Sequence, residues 1–183
     1  MRGVTHELVG AGLALATARA LEIELPATIG LIACAVAGAR LPDVDVPRAR
    51  LHRRTWPERR FRLARAVGAL ARLPLSLGSW LRHRGVTHSV LACATVSLLA
   101  GLAGSLAGAS AALVTGGGVA IGYASHVAGD ACTPGGVSAW APFSRRRVWL
   151  LPRRARIRTG GLAELVLVTC FAVALVGFTA LLG

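Results

Sequence analysis

The chain has 183 residues, 54% of them hydrophobic, with a mean hydropathy of +0.60. That is too apolar for an ordinary soluble domain and excludes a disordered chain, so one membrane-embedded domain over residues 1–183 is expected. Basic residues outnumber acidic ones 21 to 8 and all are arginine, but they fall in two blocks between apolar stretches. That distribution suits the cytoplasmic loops of a membrane protein better than a nucleic-acid face, and no specific nucleic acid is expected as partner.

In chain order, five apolar segments predict an all-α, polytopic transmembrane bundle. They run roughly Glu7–Leu21, Ala27–Leu41, His88–Gly108, Ser110–Ala131 and Leu162–Leu182. A helix needs about 20 residues to cross a bilayer core, which the last three reach. The first two, about 15 residues each, cross only with local thinning or form a re-entrant hairpin. Little precedes the first run except Arg2, so no cleavable signal peptide is expected. Gly101, Gly104 and Gly108, then Gly118-x-x-x-Gly122, suit close helix–helix approach in lipid. Gly116-Gly117-Gly118 lacks the Lys-Ser/Thr pair of a phosphate loop.

The connection 46–84 carries eleven arginines and 142–160 another seven, while Glu22 and Glu24 mark the turn between the first two segments. The positive-inside rule then places both Arg-rich loops and the N-terminus in the cytoplasm and the C-terminus outside, in a multi-pass inner (plasma) membrane protein. Between Glu58 and Leu77 the first loop reads as a basic amphipathic helix. Phe61, Ala64, Val67, Leu70 and Leu73 line one side, suited to anionic lipid headgroups.

On this topology the rare polar residues gather. His6 opens the first segment, Asp43 and Asp45 follow the second, His83 and His88 precede the third, and His126 and Asp130 close the fourth. All fall on the cytoplasmic face, although arginines and hydropathy alone set the topology. His126 and Asp130, four apart, share a helix face, and an aspartate in an apolar helix normally has a partner or a function. Gly85 permits a turn between the two imidazoles of His83 and His88, with Thr87 as an N-cap. Histidine nitrogens and aspartate oxygens suit Zn²⁺, with Mn²⁺ or Fe²⁺ as alternatives. Seven candidate ligands exceed the needs of one tetrahedral site, so one or two ions are expected, with Asp130 bridging or orienting. Asp130, Asp45 and Arg84 are the candidate catalytic groups; the planar guanidinium of Arg84 suits phosphate oxygens. Arg145, Arg146 and Arg147 are placed near the cavity mouth. Cys34, Cys93 and Cys170 lie in apolar runs as small hydrophobes, whereas Cys132 lies beside the His/Asp residues. His52 and Glu58 stay outside the cluster.

The runs THELVGAG from Thr5, LPDVD ending at Asp45, HRGVTHS from His83 and SHVAGDACTPGGVSAWAP from Ser125 resemble the YdjM family of LexA-regulated, membrane-bound, metal-dependent hydrolases. The resemblance covers about Gly3 to Pro142. It implies an all-α metal-dependent hydrolase, remotely similar to zinc-dependent phospholipase C and the single-strand-specific zinc nucleases. Those enzymes imply a phosphoester substrate, and the site's depth at the membrane interface points to a lipid headgroup at the cytoplasmic leaflet. Their later His-x-x-x-Glu pair is absent, since His126 is the last histidine. Two other readings remain open. Ser125-His126-x-x-x-Asp130 is similar to the last motif of metal-free type 2 phosphatidic acid phosphatases, though the upstream Lys-x6-Arg-Pro motif is missing. A non-enzymatic metal-binding scaffold or transporter is the third; a transporter would hold its ligands near the bilayer midplane.

Overall fold

The computed structural model of the chain describes residues 1–45 and 85–181, the side chains of Val44 and Asp45 excepted. Among these residues five α-helices follow in order: α1 (Gly3–Ala20), α2 (Leu25–Arg40), α3 (Val90–Ser105), α4 (Ala109–Ala131) and α5 (Leu162–Leu181). No β-strand occurs among the described residues; the one β-bridge pairs Val137 with Val148. The expected all-α membrane architecture therefore holds, with differences in helix length. Among the described residues, three helical stretches are long and apolar enough to cross a membrane: Leu25–Asp43, Ala109–Ala131 and Leu162–Leu181.

The second segment, expected to be short, reaches 19 residues because a 3-10 turn, Leu41–Asp45, continues α2. The third, expected to be long, is cut to 16 residues. Ser89 terminates it at one end, its hydroxyl accepting the Ala92 N–H at 3.1 Å, so Ser89 and not Thr87 is the N-cap. At the other end the chain turns at Gly108, whose φ of +118° excludes most side chains. In α1, His6, Glu7 and Arg19 dilute the hydropathy, and that helix is not among the three candidates. The amphipathic helix expected between Glu58 and Leu77 lies outside the described residues.

The α1–α2 connection is a Schellman turn. The Ile23 N–H bonds the Ala18 carbonyl at 2.9 Å, with Glu22 in the left-handed region at φ +52°. The core is small and built of small residues: Ala14, Ala18, Leu31 and Ala35 are buried between α1, α2 and α4. Glycines set the spacing between α2 and α4. A Cβ on Gly38 would stand 2.5 Å from the Val119 carbonyl oxygen, one on Gly118 2.6 Å from Cys34 Cβ, and one on Gly122 would collide with the Ala35 carbonyl. Without a hydrophobic drive between helices in lipid, such close backbone contact is a main source of association. The expected role of Gly118-x-x-x-Gly122 is thus realised against α2.

The arrangement brings the N-terminal ends of α1 and α3 and the C-terminal ends of α2 and α4 to one end of the bundle. A bidentate pair helps there: Arg40 Nε and Nη2 donate to Glu7 Oε1 and Oε2 at 2.8 and 2.7 Å. Half of the Arg40 side chain is exposed (54%), so the pair is worth at most about 1 kcal/mol. Glu7→Gln should accordingly lower thermal stability only slightly. A loss of the fold, measured as helicity after detergent extraction, would show that this pair holds the helices together.

The connection 132–161, which contains the expected cytoplasmic loop 142–160, packs back on the bundle. Leu150 and Ile157 donate their N–H groups to the carbonyls of Ala131 and Cys132, and Val90 donates to Ala139. Val137, Ala141 and Ile157 are buried, whereas Trp140, Phe143 and Leu150 are exposed.

Candidate metal centre

Each ligand candidate is placed by a different helix end. His6 lies in the second turn of α1, Asp43 in the 3-10 turn after α2, His88 in the 3-10 turn Val86–His88 before α3, and His126 and Asp130 in the last turns of α4. The polar atoms converge. Asp130 Oδ1 is 3.4 Å from His6 Nε2, while its Oδ2 is 3.5 Å from His88 Nε2 and 3.9 Å from His126 Nε2. Asp43 Oδ1 stands 3.6 Å from both His88 Nε2 and His126 Nε2. The His6 and His126 rings stack at 3.8 Å, 19° from parallel, and His88 meets His126 edge-on at 5.2 Å.

These separations exceed normal N–H···O hydrogen-bond lengths. Among the described residues, the Nε2 atoms of His6 and His126 are buried without a hydrogen bond. Ligand atoms about 2.0–2.2 Å from one ion at tetrahedral angles stand roughly 3.3–3.6 Å apart, which most of the observed distances match. The donor set therefore fits a divalent ion. Two groups meet ligand spacing, His6/His126/Asp130 and Asp43/His88/His126, and they share His126. The three histidines and Asp130 are buried, while Asp43 keeps 29% of its side chain exposed and marks the open side.

The supporting contacts fix which nitrogen faces inward. His126 Nδ1 lies 2.7 Å from the Ala39 carbonyl, which only a protonated Nδ1 can satisfy, leaving Nε2 with its lone pair in the cluster. His88 Nδ1 lies 3.0 Å from Thr87 Oγ1. The buried Tyr123 donates its hydroxyl to the Thr87 carbonyl at 2.5 Å, pinning the His88 turn onto α4 one helical turn before His126. The α-amino group of Met1 pairs with Asp130 Oδ1 at 3.0 Å, placing a positive charge beside a buried carboxylate that would otherwise be costly.

Of the seven expected ligands, His6, Asp43, His88, His126 and Asp130 are therefore brought together. Asp45 lies in the 3-10 turn two residues past Asp43, but its side chain falls outside the described residues, as do His83 and Arg84. Arg145, Arg146 and Arg147 are exposed in the connection after α4; Arg147 donates to the Gly135 carbonyl and no described contact carries the three to the cluster. Cys132 caps α4 and is outside both ligand groups. Tyr123, Thr87 and the Ala39 carbonyl were not foreseen as site residues. Tyr123 alone carried a signal, its position three residues before His126.

A helical membrane protein that gathers histidines and aspartates at one end of its bundle, at spacings a divalent ion could fill, is the class these features define. Residues 1–182 match the family model described as YdjM inner membrane protein, and the chain belongs to that family. No curated protein and no solved structure matches it.

Proposed function

We propose that the protein is a metal-dependent hydrolase of the inner membrane that cleaves a phosphoester, with a lipid headgroup at the cytoplasmic leaflet as substrate. The carrying observation is the convergence of three buried imidazole Nε2 atoms on the carboxylates of Asp43 and Asp130. Asp43, His88 and His126 would hold one ion, and His6 and Asp130, which with His126 form the other group, would hold a second. Zinc suits this nitrogen and oxygen set best, with manganese or iron as alternatives. A divalent ion there supplies Lewis acidity and lowers the cost of deprotonating water at neutral pH.

The chain's own residues do the rest. Ala39 and Thr87 hold the imidazoles of His126 and His88 with Nε2 inward, and burial of the three rings keeps bulk water from all but the Asp43 side. Asp43, the partly exposed ligand candidate, is where a substrate would meet the centre. Arginine density in 46–84 and 142–160 supports a phosphate-bearing substrate and a site at the cytoplasmic face. Arg84, next to His83, is the proposed phosphate fork.

The metal-free phosphatase reading fits less well. A nucleophilic histidine needs its far nitrogen oriented by the aspartate, yet His126 Nδ1 faces a backbone carbonyl and Asp130 lies on the Nε2 side. A transporter is disfavoured because the ligands sit at helix ends.

The test is metal content of protein purified without chelator, followed by chelation and metal re-addition across a panel of phosphoesters that includes phospholipids. About one or two ions per chain, with hydrolysis lost on chelation and restored by zinc, is the expected result. Hydrolysis that survives complete metal removal would overturn the metal-dependent reading.

A further inference from the structure

We propose that Glu164 is a positioning residue for this centre: from the start of α5, its carboxylate caps the first turn of α1 and so fixes His6. The inference rests on the metal-centre reading given above.

Glu164 is a buried acid in an otherwise strongly apolar helix whose large side chains, among them Leu165, Val166, Val173 and Val176, are exposed. An ionisable group in such a helix is expensive and demands partners. It has three. Oε1 accepts from the Arg2 N–H at 2.7 Å and from the Thr5 hydroxyl at 2.6 Å, and Oε2 accepts from the Gly160 N–H at 2.6 Å. Two of these donors belong to the start of α1, which has no capping side chain of its own at Arg2. Glu164 thus does from another helix what the acid at the third position of a capping box does locally, accepting the N–H of the N-cap residue Arg2, and its negative charge faces the positive ends of both α1 and α5.

The consequence reaches the centre through one peptide bond. Thr5, held by its hydroxyl, precedes His6, whose Nε2 is 3.4 Å from Asp130 Oδ1 and whose ring lies against His126. The backbone beneath is tight as well: a Cβ on Gly129 would stand 3.0 Å from His6 Cε1. A functional constellation tolerates about 0.5 Å of error, so releasing the first turn of α1 misplaces the imidazole. The alternative is that Glu164 only moors α5, with no effect on His6.

Full-length protein is compared with Glu164→Gln, Thr5→Val, His6→Ala and the Glu164→Gln/His6→Ala double variant. The first readout, on metal-free protein, is amide exchange over residues 2–7. The second is titration with Co²⁺, followed by its visible spectrum. Faster exchange in Glu164→Gln is expected. So is Co²⁺ binding weakened about tenfold in Glu164→Gln and Thr5→Val, with a spectral change like that of His6→Ala. In the His6→Ala background, Glu164→Gln should add nothing. Unchanged exchange overturns the latch, and so does an equal further loss of affinity in the His6→Ala background. Thr5→Val, which removes one hydroxyl, decides the matter if Glu164→Gln does not fold. Wild-type protein that takes up no Co²⁺ would instead sink the metal-centre reading itself, while the exchange result still judges the capping contact.

Discussion

Asp130→Asn should strip the protein of metal while leaving its helices intact. The carboxylate is the hub of the cluster: one oxygen faces His6 and the Met1 amino group, the other faces His88 and His126. Asparagine keeps the shape but cannot supply an anionic oxygen on each side, so the group formed with His6 and His126 loses its carboxylate and His88 loses the one 3.5 Å away. Outer-shell partners cost about 10–100-fold in metal affinity when removed. Loss of a hub ligand should exceed that range, and the proposed hydrolysis should fall with occupancy. The measurement is metal per chain by elemental analysis alongside far-ultraviolet circular dichroism. Wild-type metal content in a folded Asp130→Asn protein would remove Asp130 from the centre.

Asp130 also shows why much of the site was legible in the sequence. In a chain this apolar, each buried polar residue stands out, and a topology drawn from arginines and hydropathy already put His6, Asp43, His88, His126 and Asp130 at one end. What was illegible is what holds them. The Ala39 carbonyl that orients His126 is a backbone group, so no residue type advertises it. Ser89 replaced Thr87 as the α3 cap because the 3-10 turn Val86–His88 uses up the residues before it, a local choice that composition does not reveal. That turn, not a longer helix, delivers His88. Glu164 is the reverse case: an acid in a span is conspicuous, but its two partners in α1's first turn, Arg2 and Thr5, lie about 160 residues away and only the fold joins them. The ordered connection after α4 was hidden for a similar reason, since its seven arginines mask the few residues, Val137, Ala141 and Ile157, that anchor it.

Gly122→Val should cost both the fold and the centre, because it acts on the contact that sets the distance between α2 and α4. A Cβ there collides with the Ala35 carbonyl and comes within 2.8 Å of the Ala39 N atom, both backbone, so no side-chain rotation relieves it. Overpacking a core usually costs about 1–3 kcal/mol, and a clash of helix against helix should reach or exceed the upper end. If the helices part instead of unfolding, the damage still reaches the site. Ala39 is the residue whose carbonyl holds His126 Nδ1 at 2.7 Å, and Asp43 follows on the same helix end. Gly177 in α5 provides the control: a Cβ there meets nothing within 4 Å, so Gly177→Ala should be neutral or slightly stabilising in a helix. The comparison is read as the monodisperse fraction on size exclusion in detergent and as metal per chain. Gly122→Val should give little monodisperse protein and little metal, with Gly177→Ala indistinguishable from wild type. Monodisperse Gly122→Val with full metal content would mean that α2 and α4 do not approach as closely as these glycines require.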